Sequence, residues 1–195
     1  MTQLCAVDGT PISRFAFGTM QFGGTADEHA SATMFNACLD AGIAHFDTAH
    51  LYTNGASETI LGQLIKPQRE RLVIATKIGY RSPDNLADLR DEFDLSRKRL
   101  GQDMVDILYL HRFNPNLSLE AQITTLAAMQ DEGAVRYLAL SNFAAWQVMK
   151  AQAVAQNMGT RIDVIQPMYS LVKRQAEVEL LPMCAVENIL AATHS

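Results

Sequence analysis

Four residues of this chain carry side chains suited to proton transfer: Asp47, Tyr52, Lys77 and His111. An aspartate and a lysine taken out of water survive best as a charge pair. A lysine charge beside a phenol favours its ionised form, and a phenol so placed is a competent proton donor to a developing alkoxide. A histidine offers a second donor that polarises and orients the same oxygen. No serine or cysteine has the adjacent base and orienting partner of an activated nucleophile. No His, Asp or Glu set has metal-ligand spacing, and the three cysteines, Cys5, Cys38 and Cys184, are too far apart for paired metal or disulfide spacing. A proton donor with neither nucleophile nor metal needs an external reactant, and a hydride-carrying cofactor fits that need.

These residues are placed by a repeating rhythm. Short β-prone runs begin near Ala16, Ile43, Leu72, Val105, Val135 and Ile162, at intervals of 27, 29, 33, 30 and 27 residues. Leu72–Ala75, Val105–Leu110 and Ile162–Ile165 are nearly continuous apolar runs, the pattern of parallel strands covered on both faces. Helical stripes lie between them. The first is Ala30, Thr33, Met34, Ala37, Cys38 and Ala41, with Thr25 or Asp27 as cap and Gly42 as stop. The second is Ile60, Leu61, Leu64 and Ile65 after Ser57-Glu58, and the third is Leu86, Leu89, Phe93 and Leu100 before Gly101. The fourth is Leu119, Ile123, Leu126 and Ala127 between Ser118 and Gly133. A fifth runs through Trp146, Met149 and Ala153 to Gly159, and a sixth begins near Gln175. Strand and helix alternating at about 30 residues per unit is the βαβ signature. Asp8-Gly9, ahead of the first unit, predicts a two-residue hairpin turn at the floor of the fold.

An open doubly wound sheet and a closed barrel both satisfy this rhythm. The six strands favour the open sheet; the polar residues favour the barrel. Five consecutive strands end in a polar residue: Asp47, Lys77, His111, Ser141-Asn142 and Gln166. Singly each has a plainer reading, as a turn or cap residue or as a solvated strand end. An open sheet would line these ends up in a row, whereas a barrel turns them all to one mouth. The barrel therefore accounts for all five together. Among the remaining histidines, His29 reads as solvated, His45 as a core residue bonded to a neighbour, and His50 as a loop residue beside Tyr52.

The chain of 195 residues is read as one domain, 1–195. With 16 Lys+Arg against 21 Asp+Glu, a net charge of -5 and no basic run, it offers nothing to nucleic acid. No apolar run approaches the roughly 20 residues of a membrane helix, and residues 1–10 lack a signal peptide pattern. A cytoplasmic protein with free thiols is the expectation.

The residues also resemble a known family. Gly18-Thr19-Met20, Gly42–Ala49 with Tyr52, Glu58 with Leu61-Gly62, and Thr76-Lys77 are similar to the aldo-keto reductase pattern. So are Asp106–His111, Gly133 with Arg136-Tyr137, Leu140–Phe143 and Gln166–Ser170. The resemblance covers about residues 10 to 185. It implies an α/β TIM-type (β/α)8 barrel, here incomplete with about six of eight β/α units and preceded by a short N-terminal β-hairpin. It implies NADPH-dependent reduction of aldehydes and ketones, NAD remaining an option, with a small-molecule carbonyl substrate. It makes Tyr52 the general acid, Lys77 and Asp47 its tuning pair, and His111 the carbonyl orienter. Ser141, Asn142 and Gln166 would hold the nicotinamide amide with Tyr169 stacked on the ring, and Gly18, Thr19, Met20 and Asp47 would line the same pocket. Relatives in this family carry two further units that hold the cofactor phosphates and adenosine. The alternative is a truncated, non-catalytic member acting as a binding or regulatory protein on the same fold. After Val186 the expected seventh-strand pattern is lost.

Overall fold

Alternate residues of the central strands share one face, and the apolar ones form a single cluster. Val73 and Ala75, Ile107 and Tyr109, Ala139, and Val164 pack together with Leu4 and Ala6. The intervening residues, Ile74, Ile78, Leu108, Leu110, Leu138 and Leu140, pack outward under the helices. A sheet buried on both faces in this way forms the wall of a barrel. The computed structural model describes residues 4–81 and 85–195.

Seven parallel strands run in sequence order: β1 (Ala16–Gly18), β2 (His45–Asp47), β3 (Val73–Ile78), β4 (Val105–Leu110), β5 (Val135–Ser141), β6 (Ile162–Gln166) and β7 (Leu190–Ala191). Between them lie α1 (Glu28–Asp40), α2 (Ala56–Ile65), α3 (Leu86–Leu100), α4 (Leu119–Asp131), α5 (Ala145–Asn157) and α6 (Leu180–Glu187). The sheet is curled. Gln166 Nε2 on β6 donates to Asp47 Oδ2 on β2 at 2.9 Å, although four strand spacings of about 4.8 Å separate those strands along the sheet. A flat sheet would hold them nearly 20 Å apart, so the open-sheet alternative is excluded.

Local chemistry accounts for most element boundaries. Asp27, rather than Thr25, caps α1 by accepting from Ala30 N at 2.8 Å. Ser118 caps α4, and Asn85 with Asp88 forms a capping box on α3. Gly101 ends α3 at φ 63°, a conformation that favours glycine. Gly62 serves a different end: a Cβ there would fall 2.5 Å from the Leu100 carbonyl oxygen, so α2 and α3 meet backbone to backbone.

Four expectations need correction. A seventh strand does form: Leu190 and Ala191 pair in parallel with Val164 and Ile165. Its two residues are too short to give a periodicity. The turn at Asp8-Gly9 belongs to a three-residue loop. Ala6 N donates to Thr10 O and Gly9 N to Ala6 O, with Gly9 at φ 88°, a type I turn closed by a left-handed residue. The loop places Leu4 and Ala6 in the barrel interior, where they plug its floor. The buried stripe of α1 is Ser31, Phe35 and Cys38, and that of α5 is Val148, Ala151, Gln152 and Ala155, which leaves Trp146 exposed. Gln175 opens a 3-10 turn, Gln175–Glu177, and the helix proper begins at Leu180. Among the described residues no helix is long and apolar enough to cross a membrane.

Candidate active site

The inward-facing register of each strand continues past its apolar layers into one polar residue at the C-terminal end. Val73 and Ala75 lead to Lys77, Ile107 and Tyr109 to His111, Ala139 to Ser141, and Val164 to Gln166. The pleat therefore aims these four strand ends at one mouth, where Asp47 at the end of β2 meets them. Lys77 is almost fully buried there. Its Nζ donates to Asp47 Oδ1 in a short ion pair, to the Thr48 carbonyl oxygen at 2.8 Å and to the Tyr52 hydroxyl at 3.3 Å. Its charge also lies 5.8 Å from the ring centre of Tyr109, the layer below. Asp47 is held from its other side by Gln166.

Tyr52 reaches this cluster because the chain beyond β2 keeps pairing with β3: Thr48 N donates to Ala75 O and His50 N to Lys77 O. The turn Tyr52–Gly55 then reverses the chain into α2. Thr53 and Asn54 adopt φ of 47° and 54°, which is costly for a β-branched threonine. Thr53 Oγ1 offsets that cost by donating to Phe22 O at 2.7 Å and accepting from Ser57 N at 2.9 Å. Strain of this kind concentrates at functional loops.

His111 stands edge-on to Tyr52, their ring centres 5.9 Å apart, and Tyr80 packs against it at 4.8 Å. Burial, and then the Lys77 charge, push its imidazole down to about 3. The ring is therefore neutral near pH 7 and donates through a single N–H. Among the described residues its Nδ1 is buried without a partner.

A cavity of about 440 Å³ opens above these groups. Gly18, Met20, Asp47, Tyr52, His111, Ser141, Asn142 and Gln166 line it. Beside it lies a cavity of about 530 Å³ walled by Met20, Leu51, Tyr52, Tyr80, His111 and Met168, with the apolar side chains of Met20, Tyr80 and Met168 partly open to solvent. At the cavity floor, Ser141 Oγ donates to Gln166 O at 3.0 Å, and Asn142 Nδ2 donates to His111 O at 3.0 Å and to Ser141 Oγ at 3.1 Å. Asn142 Oδ1 accepts no bond among the described residues. That amide-rich floor suits a carboxamide group.

Two expected site residues lie elsewhere. Thr19 is buried, with its hydroxyl against Asp47 O and Ser57 Oγ, so it fixes the loop between Gly18 and Met20 rather than lining the cavity. The Tyr169 hydroxyl donates to Glu177 Oε1 at 2.5 Å, which ties it to the loop after β6. His194, just past β7, lines both mouth cavities instead. Burial and the Lys77 charge hold its imidazole below the usual range. Thr48, Tyr80, Tyr109 and His194 were not singled out from sequence. For Tyr109 the signal was present, two residues before His111 on the same strand face. His45 is buried with Nε2 unpartnered among the described residues, and burial pushes its ring down to about 4; the expected bond to a neighbour is absent at that nitrogen. His29 is exposed. His50 Nδ1 sits 3.1 Å from the Glu92 carbonyl oxygen.

A curled parallel sheet carrying a Tyr-Lys-Asp-His cluster at the mouth formed by its C-terminal strand ends defines a (β/α)-barrel protein. The chain belongs to the aldo/keto reductase family, whose sequence model matches residues 14–195. It is 32% identical over 195 residues to "Uncharacterized oxidoreductase YrpG" of Bacillus subtilis, covering 89% of this chain and 59% of that protein. It is 35% identical over 171 residues to human "Aflatoxin B1 aldehyde reductase member 4", covering 85% of this chain and 52% of the relative. The structure of the glycerol dehydrogenase AKR11B4 from Gluconobacter oxydans superposes with a TM-score of 0.85 at 26% identity, over 98% of this chain and 62% of that one. The chain thus spans between half and two thirds of the length of each.

Proposed function

We propose that this site reduces the carbonyl group of a small aldehyde or ketone to an alcohol, with Tyr52 as the proton donor. The observation that carries the reading is the Lys77 ammonium, held by Asp47 and Thr48 and placed 3.3 Å from the Tyr52 hydroxyl. When the phenol gives its proton to the substrate oxygen, that fixed positive charge stabilises the phenolate left behind. His111, neutral and edge-on to Tyr52, donates its N–H to the same oxygen and orients it. Leu51, Tyr80, Met20 and Met168 give the substrate an apolar bed beside the polar cluster. A nicotinamide coenzyme, NADPH in this reading, would supply the hydride when bound. Asn142, Ser141, Gln166 and Asp47 are the residues that would hold its carboxamide, since their amide, hydroxyl and carboxylate groups converge at the cavity floor. On this chain's side of the reaction, the substrate oxygen takes the Tyr52 proton, and water restores the phenol.

The test compares wild type with Tyr52→Phe, following NADPH oxidation with an aromatic aldehyde and coenzyme binding by fluorescence quenching. Loss of a general acid lowers kcat by about 10²- to 10⁴-fold, with the coenzyme Kd nearly unchanged because the hydroxyl acts on substrate. Turnover of Tyr52→Phe within about a factor of two of wild type would assign the proton to another group.

A further inference from the structure

A third cavity, of about 240 Å³, lies behind the loop that carries Tyr52, walled by His50 on that loop, Lys77 on β3, Arg81 just beyond it, and Glu92 and Arg99 on α3. It shares Leu51 and Tyr80 with the mouth. We propose that this cavity binds a small oxyanion, a phosphate or a carboxylate, independently of the carbonyl chemistry.

Its lining is rich in donors and poor in acceptors. Three cations, Lys77, Arg81 and Arg99, line it beside the carboxylate of Glu92; the Lys77 N–H groups already go to Asp47, Thr48 O and Tyr52, so Arg81 and Arg99 are the donors left to an occupant. Glu92 is already committed, its Oε2 accepting from Gly79 N at 2.7 Å. Arg99 is preorganised. Its Nη1 donates to the His50 carbonyl oxygen at 2.9 Å and to the fully buried Glu58 at 3.2 Å. Its guanidinium lies flat on Gly55, where a Cβ would fall 2.3 Å from Cζ. Among the described residues Arg99 reaches its acceptors only through Nη1, so Nε and Nη2 keep their N–H groups for an occupant. A rigid guanidinium fork matches the two oxygens of a carboxylate or phosphate. His50 Nδ1 lies 3.1 Å from the Glu92 carbonyl oxygen, 3.3 Å from Ser96 Oγ and 3.4 Å from Arg99 Nη1, so its ring is tied to α3 and helps fix Arg99. The volume suits a phosphate or a short carboxylate and is below the 300–1,000 Å³ typical of drug-sized ligands.

The test titrates the 195-residue chain with sodium phosphate, sodium acetate and glycerol phosphate by isothermal calorimetry at constant ionic strength. Wild type is compared with Arg81→Ala and Arg99→Lys. Inorganic phosphate is expected to bind one site saturably. Arg81→Ala, at an exposed position, should weaken it about tenfold, the loss expected for one charge-assisted contact. Arg99→Lys keeps the charge but loses the fork, and should weaken binding at least as much, with circular dichroism reporting whether it folds. Equal affinity for glycerol phosphate would mark the anionic group of a larger metabolite as the occupant, and exclusion of glycerol phosphate would mark the free ion. No saturable heat with phosphate or acetate, or phosphate binding unchanged in Arg81→Ala, would overturn the site. Neither result bears on carbonyl reduction, which Tyr52→Phe tests separately.

Discussion

Lys77 is surrounded by oxygens and aromatic faces, and its partner Asp47 depends on it in turn. A buried pair of this kind costs little when both members are present and a great deal when one is removed. Lys77→Met therefore leaves a carboxylate at the bottom of the mouth with only Gln166 for company. Chemical denaturation should show a loss of about 3–5 kcal/mol. The double variant Lys77→Met/Asp47→Leu removes the orphan charge and should recover most of that stability, while the proposed carbonyl reduction should be lost in both. Equal instability of the single and double variants would mean that packing, not charge, sets the cost. His45 and His111 show the opposite economy: each is buried as a neutral ring with a nitrogen unpartnered among the described residues, so protonation is what each resists.

At the scale of elements, the barrel floor is knotted by one residue of β4. Asp106 is fully buried, forms an ion pair with Arg69 at 2.8 Å, and accepts from Arg136 on β5 at 2.7 Å and from Ile74 N on β3 at 2.9 Å. Arg136 also donates to the Cys5 carbonyl oxygen at 2.8 Å, which fastens the N-terminal hairpin over the floor. Asp106→Ala leaves two guanidinium groups and a backbone amide short of their acceptor. Urea unfolding should show a loss of about 3–5 kcal/mol, and a loss below about 1 kcal/mol would show that water satisfies those groups. At the α2–α3 crossing, Gly62→Ala drives a methyl into the Leu100 backbone, which cannot step aside as a side chain could. Overpacking of this sort costs about 1–3 kcal/mol. A variant as stable as wild type would mean that the two helices can part without penalty.

For the whole molecule, acid stability follows from three buried groups. His45 and His111 fall from the usual 6.5 to about 4 and about 3, and Asp163 rises from 3.8 to about 6. Burial is the leading cause of each. Both imidazoles bind protons more readily unfolded, so their contribution is present above pH 6.5 and is lost as the pH falls toward 4. Asp163 works against them, since the folded chain is the better proton binder between pH 6 and 3.8. From these three groups, two protons taken up on unfolding less one released leaves one, a slope of about 1.4 kcal/mol per pH unit. Unfolding free energies between pH 6 and 4 should show His111→Asn flattening that limb and Asp163→Asn steepening it; the reverse order would contradict the assignment. Among the described residues the sheet is also open at both ends, because β1 pairs only with β2 and β7 only with β6. Uncovered edges recruit other strands, so sedimentation velocity should show mass rising with concentration. A strict monomer across the accessible range would mean that the edges are shielded.

Much of this could be read from the chain itself. The apolar runs at about 30-residue spacing fixed the strands and their parallel order, because a strand buried on both faces tolerates little else. The polar residue at the end of each run marked the mouth, and the pleat made that legible: Val73, Ala75 and Lys77 alternate with Ile74, Thr76 and Ile78, so an inward apolar residue predicts an inward Lys77. Tertiary contacts settled what local pattern does not encode. Curling of the sheet, visible in Gln166 meeting Asp47, depends on all the strands at once. Which stripe of α1 or α5 is buried depends on the neighbour it packs against. The two-residue β7 exists only because β6 offers an edge. The exchange of Tyr169 for His194 at the mouth has the same origin: Glu177, eight residues along the chain, captures one side chain, while pairing of the segment after β7 beside Met168 delivers the other. Periodicity reports which way a side chain faces, but only the packed chain determines what it meets there.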